Sequence, residues 1–272
     1  MSGAAAAPVA PPASAVSAAA AGTVPAHRAP HTVGILGGMG PAAGADFVRL
    51  FVQACARQMA AAGRPVTDQG FPEHWLAQVP VPDRSRALAD TTPGPHQPLD
   101  PMLDALGRLH GLGARAVAIA CNTAHAWHAP LQAGYPAIDL LHIADETAAH
   151  LAAAGTRQAI LLATEGTYAT GLYDAALARA GVACHLPTAA ERATVMHGIY
   201  AGVKAGDMAL ARRCFADVAG AMAARHPGSA VVMGCTEIPL ALPDAEEARH
   251  WQLVDPTAVL AEALARRAYA VG

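Results

Sequence analysis

The sequence predicts an α/β protein of two similar, pseudo-symmetric domains with parallel-type sheets and an active site in the cleft between them. Three observations carry this reading. Beyond about residue 31, short apolar strands alternate with longer stretches of helical spacing, the pattern of a largely parallel sheet covered by helices. The plan then occurs twice, each half running strand, Gly/Thr turn, helix, further elements, strand, cysteine, as an internal duplication would. Finally, two apolar runs, AVAIACNTAH and AVVMGCTEIP, each deliver a cysteine, Cys121 and Cys235, into small hydroxyl or amide residues.

The elements follow in order. Thr32–Leu36 reads as a strand entering the turn Gly37-Gly38-Met39-Gly40-Pro41, and Ala45 to about Ala62 as a helix with Phe47, Leu50, Phe51 and Ala54 on one face. Pro101–His110 is a second helix, stopped by Gly111–Gly113. Ala116–Ala120 is the strand that delivers Cys121. In the second half, strand Ala159–Ala163 leads through Thr164-Glu165-Gly166-Thr167 into a helix at Tyr168–Ala180 that Gly181 ends. Strand Val182–Leu186, helices Glu191–Ala205 and Met208–Arg225, and strand Ala230–Met233 bring the chain to Cys235. The last helix, Ala258 to about Tyr269, returns to the first half. The expected division is therefore a first domain of residues 32–135 plus 239–272 and a second of residues 136–238. Residues 1–31, nearly all Ala, Pro, Ser, Gly and Val, read as a disordered extension with no part in the chemistry.

At 272 residues the chain can bury a sizeable core, and its net charge of −3 provides no basic field for nucleic acid or an anionic membrane. No uninterrupted apolar run reaches the roughly eighteen residues of a membrane span. Five cysteines without C-x-x-C spacing suggest neither a disulfide framework nor a zinc ribbon. A cytoplasmic protein is the expectation. Of 18 basic residues only Lys204 is lysine. Read alone, it is either a point charge doing what arginine cannot, or a residue retained by chance on a helix surface.

Ligands in open α/β sheets bind beyond the carboxyl ends of the strands. Both turns and both cysteines lie there, so two facing half-domains put Cys121 and Cys235 on opposite walls of one cleft. Asn122, Thr123 and Thr236 are good helix N-cap types, which would aim backbone N–H groups at each thiol and lower its pKa. Two such thiols fit a two-base reaction in which a thiolate removes a proton from a stereocentre and a thiol delivers one to the opposite face. Cys55, Cys184 and Cys214 have no special neighbours and read as buried structural cysteines.

With these residues assembled, TVGILGGMGP, QVPVPDRSRAL, AIACNTAH, IYAGVKAGD and MGCTEIPL resemble, in that order, the cofactor-independent aspartate/glutamate racemase family, its aspartate racemase branch most closely. The resemblance covers about residues 32–270. It implies that Cys121 and Cys235 are the catalytic acid/base pair and that Arg84 grips a substrate carboxylate, with Lys204 a second carboxylate-binding group. It implies further that Asn122, Thr123, Thr164, Thr167 and Thr236 hold the α-carboxylate and ammonium, and that Met39-Gly40 lines the pocket. No cofactor or metal, a small amino-acid substrate and a homodimer belong to the same implication. The chain departs from the family pattern at Gly44, Ala77 and Gly202, where Thr, Asn and an acidic residue are usual. These departures bear on the identity of the substrate and leave the cysteine pair untouched.

Other readings make different demands of the same residues. A pyridoxal phosphate enzyme would have to use Lys204 as its Schiff-base lysine. A metal site would draw on Cys121, His125, His128 and His142. Isomerases or racemases acting on diacids or hydantoins share the paired-cysteine cleft, and a non-catalytic binder of small acidic metabolites would keep Arg84 and Lys204 without needing two thiols.

Overall fold

The computed structural model describes residues 29–270 except 91, 93, 95 and 96. Most of the extension expected to be disordered, up to residue 28, lies outside the described residues. The first half comprises β1 (Val33–Gly37), α1 (Pro41–Ala61), β2 (His74–Gln78), α2 (Arg84–Ala89), α3 (Leu99–Gly111), β3 (Ala116–Ile119), α4 (His128–Gly134), β4 (Asp139–Leu140) and α5 (Ile143–Ala153). The second comprises β5 (Gln158–Ala163), α6 (Glu165–Ala169), α7 (Leu172–Arg179), β6 (Ala183–His185), α8 (Ala189–His197), α9 (Met208–Arg225), β7 (Ala230–Gly234), β8 (Leu253–Val254) and α10 (Pro256–Tyr269).

The strands form two four-stranded parallel sheets, ordered β2-β1-β3-β4 and β6-β5-β7-β8. The second order is the first repeated, so β5, β6, β7 and β8 stand in the places of β1, β2, β3 and β4. The central strands are covered on both faces, which is why they read as unbroken apolar runs: β1, β3 and β7 are buried at every position. In the first domain α1 and α10 cover one face of the sheet and α3 the other. In the second, α8 and α9 cover one face and α5 and α7 the other. Among the described residues no helix is long and apolar enough to cross a membrane.

The expected division needs two corrections. β4 pairs with β3 in the first sheet, although residues 136–238 were expected in the second domain. β8 pairs with β7 in the second sheet, although residues 239–272 were expected in the first. Each is a two-residue strand with no apolar run to mark it, so the chain leaves each sheet later than its sequence suggests. α10 does return to the first half, with Leu260, Ala261, Leu264 and Ala268 buried beside β1 and β3.

Two expected helices are interrupted. The one over Tyr168–Ala180 divides into α6 and α7 around Gly171, whose φ is +61°. The one over Glu191–Ala205 stops at His197, passes through a π-helical turn at Gly198–Gly202, and ends in a 3-10 turn carrying Lys204. Gly202 packs directly on α9, where a Cβ would stand 2.9 Å from the Ala211 Cα and 3.0 Å from its nitrogen. An acidic side chain could not occupy that position without moving the backbone.

Candidate active site

Cys121 follows β3 and Cys235 follows β7, equivalent strands of the two sheets. They line one narrow cavity of about 30 Å³ together with Met39, Arg84, Asn122, Thr123, Thr164, Lys204 and Thr236. β1 and β5, which neighbour β3 and β7, supply Met39 and Thr164 from the turns at their carboxyl ends. Both sets meet where the strand order of each sheet reverses, the usual place for a ligand. Of the expected site residues, Gly40 and Thr167 do not line the cavity. Gly44, Ala77 and Gly202, where the chain departs from the family pattern, lie off it as well.

Arg84 opens α2, and its guanidinium is held flat by main-chain carbonyls: Nη1 donates to Val81 and Pro82, and Nη2 donates to Met39 at 2.9 Å. Of five guanidinium hydrogens, three are thus engaged, and the buried Nε has no partner. The Asn122 side chain does not cap the 3-10 helix that follows it. Instead its Oδ1 accepts from the Tyr173 hydroxyl at 2.5 Å, and its buried Nδ2 has no partner. An unmatched buried donor is costly, so Arg84 and Asn122 both carry donors suited to a carboxylate.

The threonines behave differently. Thr123 Oγ1 from the first domain lies 2.9 Å from Thr164 Oγ1 and 3.0 Å from Thr167 Oγ1, which are 3.1 Å apart. Three bonds among three hydroxyls use all three protons, and Thr164 Oγ1 also accepts from the Thr167 N–H at 3.2 Å, so the lone pairs the cluster can still offer are those of Thr123 and Thr167.

Lys204, expected as a second carboxylate-binding group, is paired within the protein: its Nζ lies 2.6 Å from Glu237 Oε1. Glu237, which was not assigned a role from the sequence, is buried, and its Oε2 accepts from the Cys235 thiol at 2.9 Å and from Thr236 Oγ1 at 3.1 Å. Burial favours the protonated carboxyl, but Lys204, Cys235 and Thr236 outweigh it and hold Glu237 below the ordinary carboxylate range. Its signal was present as the Glu of GCTE. Asp83 and Tyr200 were also missed. They come from opposite domains and meet at the mouth of the cavity, Tyr200 Oη lying 3.5 Å from Asp83 Oδ2.

The thiols are not lowered as the capping residues suggested. Burial raises both, because a thiolate in a dry site loses its hydration. At Cys121 that rise is opposed by Arg84 and by the Ala124 N–H and reinforced by the Glu237 charge. At Cys235 it is reinforced by the Glu237 carboxylate, opposed by the Glu237 N–H and reinforced again across the cavity by Cys121, which leaves that thiol well above its usual value. Burial likewise raises Cys55 and Cys184 to about 12 with no cation to offset it, although Cys184, expected to be buried, is only partly so.

The residues considered for a metal site do meet in part. The rings of His125, His128 and His142 lie within 6.1 Å of one another. However, His125 Nδ1 is bonded to the carbonyls of Cys121 and Asn122, and His128 Nε2 to that of Leu140. Among the described residues no group of three His, Cys, Asp or Glu is arranged to hold an ion. His125 instead ties down the loop that carries Cys121.

The chain is similar to known proteins in sequence and in fold. Residues 36–264 match the family model described as Asp/Glu/hydantoin racemase. A broad-specificity amino-acid racemase of Bacillus subtilis is 26% identical over 145 residues, 53% of this chain. The chain spans 60% of the length of that curated relative. The structure of Picrophilus torridus aspartate racemase superposes with a TM-score of 0.71 at 26% identity, over 88% of this chain and 94% of that one. That of an aspartate racemase homologue from Pyrococcus horikoshii gives 0.66 at 20% identity, over 88% and 99%, and speaks for the fold alone.

Proposed function

The chain belongs to the Asp/Glu/hydantoin racemase family, and on that premise we propose that it is an amino-acid racemase that works without a cofactor through Cys121 and Cys235, with aspartate as its substrate. The observation that carries the reading is the pair itself. Two cysteines at the ends of equivalent strands line one cavity beside Arg84, and a racemase needs one proton-transfer group on each face of a stereocentre. A binding protein would need the cations and neither thiol.

The substrate's α-carboxylate is matched by the unpartnered amide donor of Asn122, and its ammonium by the acceptor oxygen of Thr123. The side-chain carboxylate meets Arg84 and Lys204. Lys204 has three ammonium hydrogens, so its bond to Glu237 leaves it able to share. One cysteine thiolate takes the α-proton, and the opposite thiol protonates the other face. Charge that builds on the α-carboxylate as the proton leaves is met by donors already in place.

The test is proton NMR of L-aspartate in D2O with no added cofactor, wild type beside Cys121→Ser and Cys235→Ser. The expected result is deuterium at Cα and a racemic product with wild type, and no racemisation with either variant. L-glutamate and neutral amino acids belong in the same series, because the Bacillus subtilis relative is described as broad in specificity. Exchange only with another amino acid would replace aspartate as the substrate. Failure of exchange with every amino acid, under reducing conditions, would end the racemase reading.

A further inference from the structure

The two halves of the site repeat each other in fold but not in charge. Cys121 shares the cavity with Arg84, whose guanidinium opposes the effect of burial on that thiol. Cys235 has a carboxylate oxygen at 2.9 Å, and that carboxylate is held by Thr236 at 3.1 Å and by Lys204 at 2.6 Å. Glu237 is 7% exposed and cannot swing into solvent without breaking all three bonds. A carboxylate in this position can accept a proton bond from a thiol but repels a thiolate.

We propose that Glu237 is a positioning residue that divides the work of the two cysteines: it holds Cys235 as the proton-carrying thiol, while Cys121, on the Arg84 side, is the one that takes the thiolate form. This deepens the racemase reading and rests on it. In the first half-reaction the substrate's Cα–H bond breaks and its proton goes to the Cys121 thiolate. The Cys235 S–H bond breaks in turn, and its proton forms the new Cα–H bond on the opposite face. The products are a Cys121 thiol and a Cys235 thiolate, the latter set against the Glu237 carboxylate. Repulsion between those two negative charges drives the return: Cys235 takes a proton from water, and Cys121 gives one up to water. The enantiomer that meets Cys235 as base uses the minor form of the free enzyme. Enantiomers have equal free energy, so kcat/KM must match in the two directions, and the bias is visible in the thiols themselves rather than in that ratio.

Burial and charge support the assignment. Desolvation acts on both thiols and the Glu237 charge adds to it at both, but Glu237 is in hydrogen-bond contact with Cys235, whereas Arg84 subtracts from it at Cys121. The titratable and charged groups around the pair are Lys204 and Tyr200 from the segment after α8, Cys121, Arg84 and Asp83 across the cavity, and Glu237 itself. Lys204 is the one whose charge opposes Glu237 at Cys235, and it does so from the far carboxylate oxygen.

The test needs no substrate. Each cysteine of the full-length protein is alkylated with iodoacetamide across a range of pH, and the modified peptides are quantified by mass spectrometry for wild type, Glu237→Gln and Glu237→Asp. In wild type, Cys121 is expected to react at lower pH than Cys235. In Glu237→Gln the Cys235 profile should move down by about one pH unit or more, the effect of removing a like charge at contact, so that its rate at a fixed low pH rises about tenfold. Cys121 should move much less, and Glu237→Asp should retain the wild-type order. Cys235 reacting first in wild type, or a Cys235 profile unmoved in a folded Glu237→Gln, overturns the proposal. If Glu237→Gln fails to fold, the wild-type order and the Glu237→Asp profile decide it. Because alkylation requires no turnover, a correct thiol order in a protein that exchanges no amino acid would count against the racemase reading and not against this one.

Discussion

Replacing Lys204 by Met keeps the length of the side chain and removes its charge, leaving Glu237 buried with no cation. The attraction lost is roughly 6 kcal/mol for 2.6 Å at an effective dielectric near 20, but that gross figure is not the cost. The Lys204 side chain is 34% exposed, so water screens its end of the pair and the net value is much smaller. There is also a ceiling, because a stranded carboxylate can take up a proton. From the ordinary value of 4.5 to pH 7 is about 2.5 units, and at 1.36 kcal/mol per unit the cost of the stranded carboxyl in the variant, relative to the unfolded chain, cannot exceed about 3.4 kcal/mol. Lys204→Met should therefore destabilise the protein by about 2 kcal/mol at pH 7. The pH dependence has a definite sign. In wild type the folded value of Glu237 is depressed, so its contribution is present above 4.5 and is lost as pH falls through that lower value. In the variant burial acts without the lysine and raises the folded value, so stability is lost as pH rises above 4.5. The difference between the two proteins should shrink by up to about 1.4 kcal/mol for each pH unit between 7 and 5. Urea unfolding at pH 7, 6 and 5 measures it. An equal deficit at all three would mean that Glu237 is not the group left stranded, and the charge argument would be refuted.

Gly166→Ala should reduce kcat/KM at least tenfold while the protein stays folded. The new Cβ would stand 2.7 Å from Ser85 Oγ and 2.8 Å from Thr123 Cγ2, forcing α6 away from α2 and widening the gap between the cysteine-bearing loops, at about 1–3 kcal/mol in stability; steady-state kinetics beside thermal melting separates the two effects. Tyr173→Phe removes the hydroxyl that holds Asn122 and should cost about 1 kcal/mol in urea unfolding, with a fall in kcat/KM larger than that, since the Asn122 amide is free to turn; unchanged kinetics would detach Asn122 from the substrate. His125 is buried and held down to about 3 by burial, then by His142 and His128. Its contribution is therefore present above the unfolded value of 6.5 and is lost as pH falls toward 3. His125→Gln should flatten the loss of stability between pH 6.5 and 4.5 by up to about 1.4 kcal/mol per unit, as read by unfolding at several pH values.

The sequence by itself determined the α/β class, the duplication and the strands that carry the cysteines. β1, β3, β5 and β7 lie at the centres of parallel sheets, so their burial is written as apolar runs, and Met208–Arg225 is a helix with the predicted ends. Lying beyond equivalent strand ends, Cys121, Cys235, Thr164 and Met39 were legible as a site by topology alone. Strands at the edges were not. β2 is half exposed and reads HWLAQ, and β4 and β8 are two residues each, so their sheet membership comes from neighbours distant in sequence. The break between α8 and Lys204 was equally hidden, because it depends on how closely Gly202 packs on α9. Only the tertiary structure decided the electrostatics of the site. Lys204 and Glu237 are 33 positions apart, and no periodicity relates them. Their contact turns an expected anchor into a shared one and sets a carboxylate against one of two cysteines that the sequence presents as equals. Capping chemistry alone suggested lowered thiols at both. Burial, a property of the whole fold, raised them, and the different charge beside each made the pair unequal.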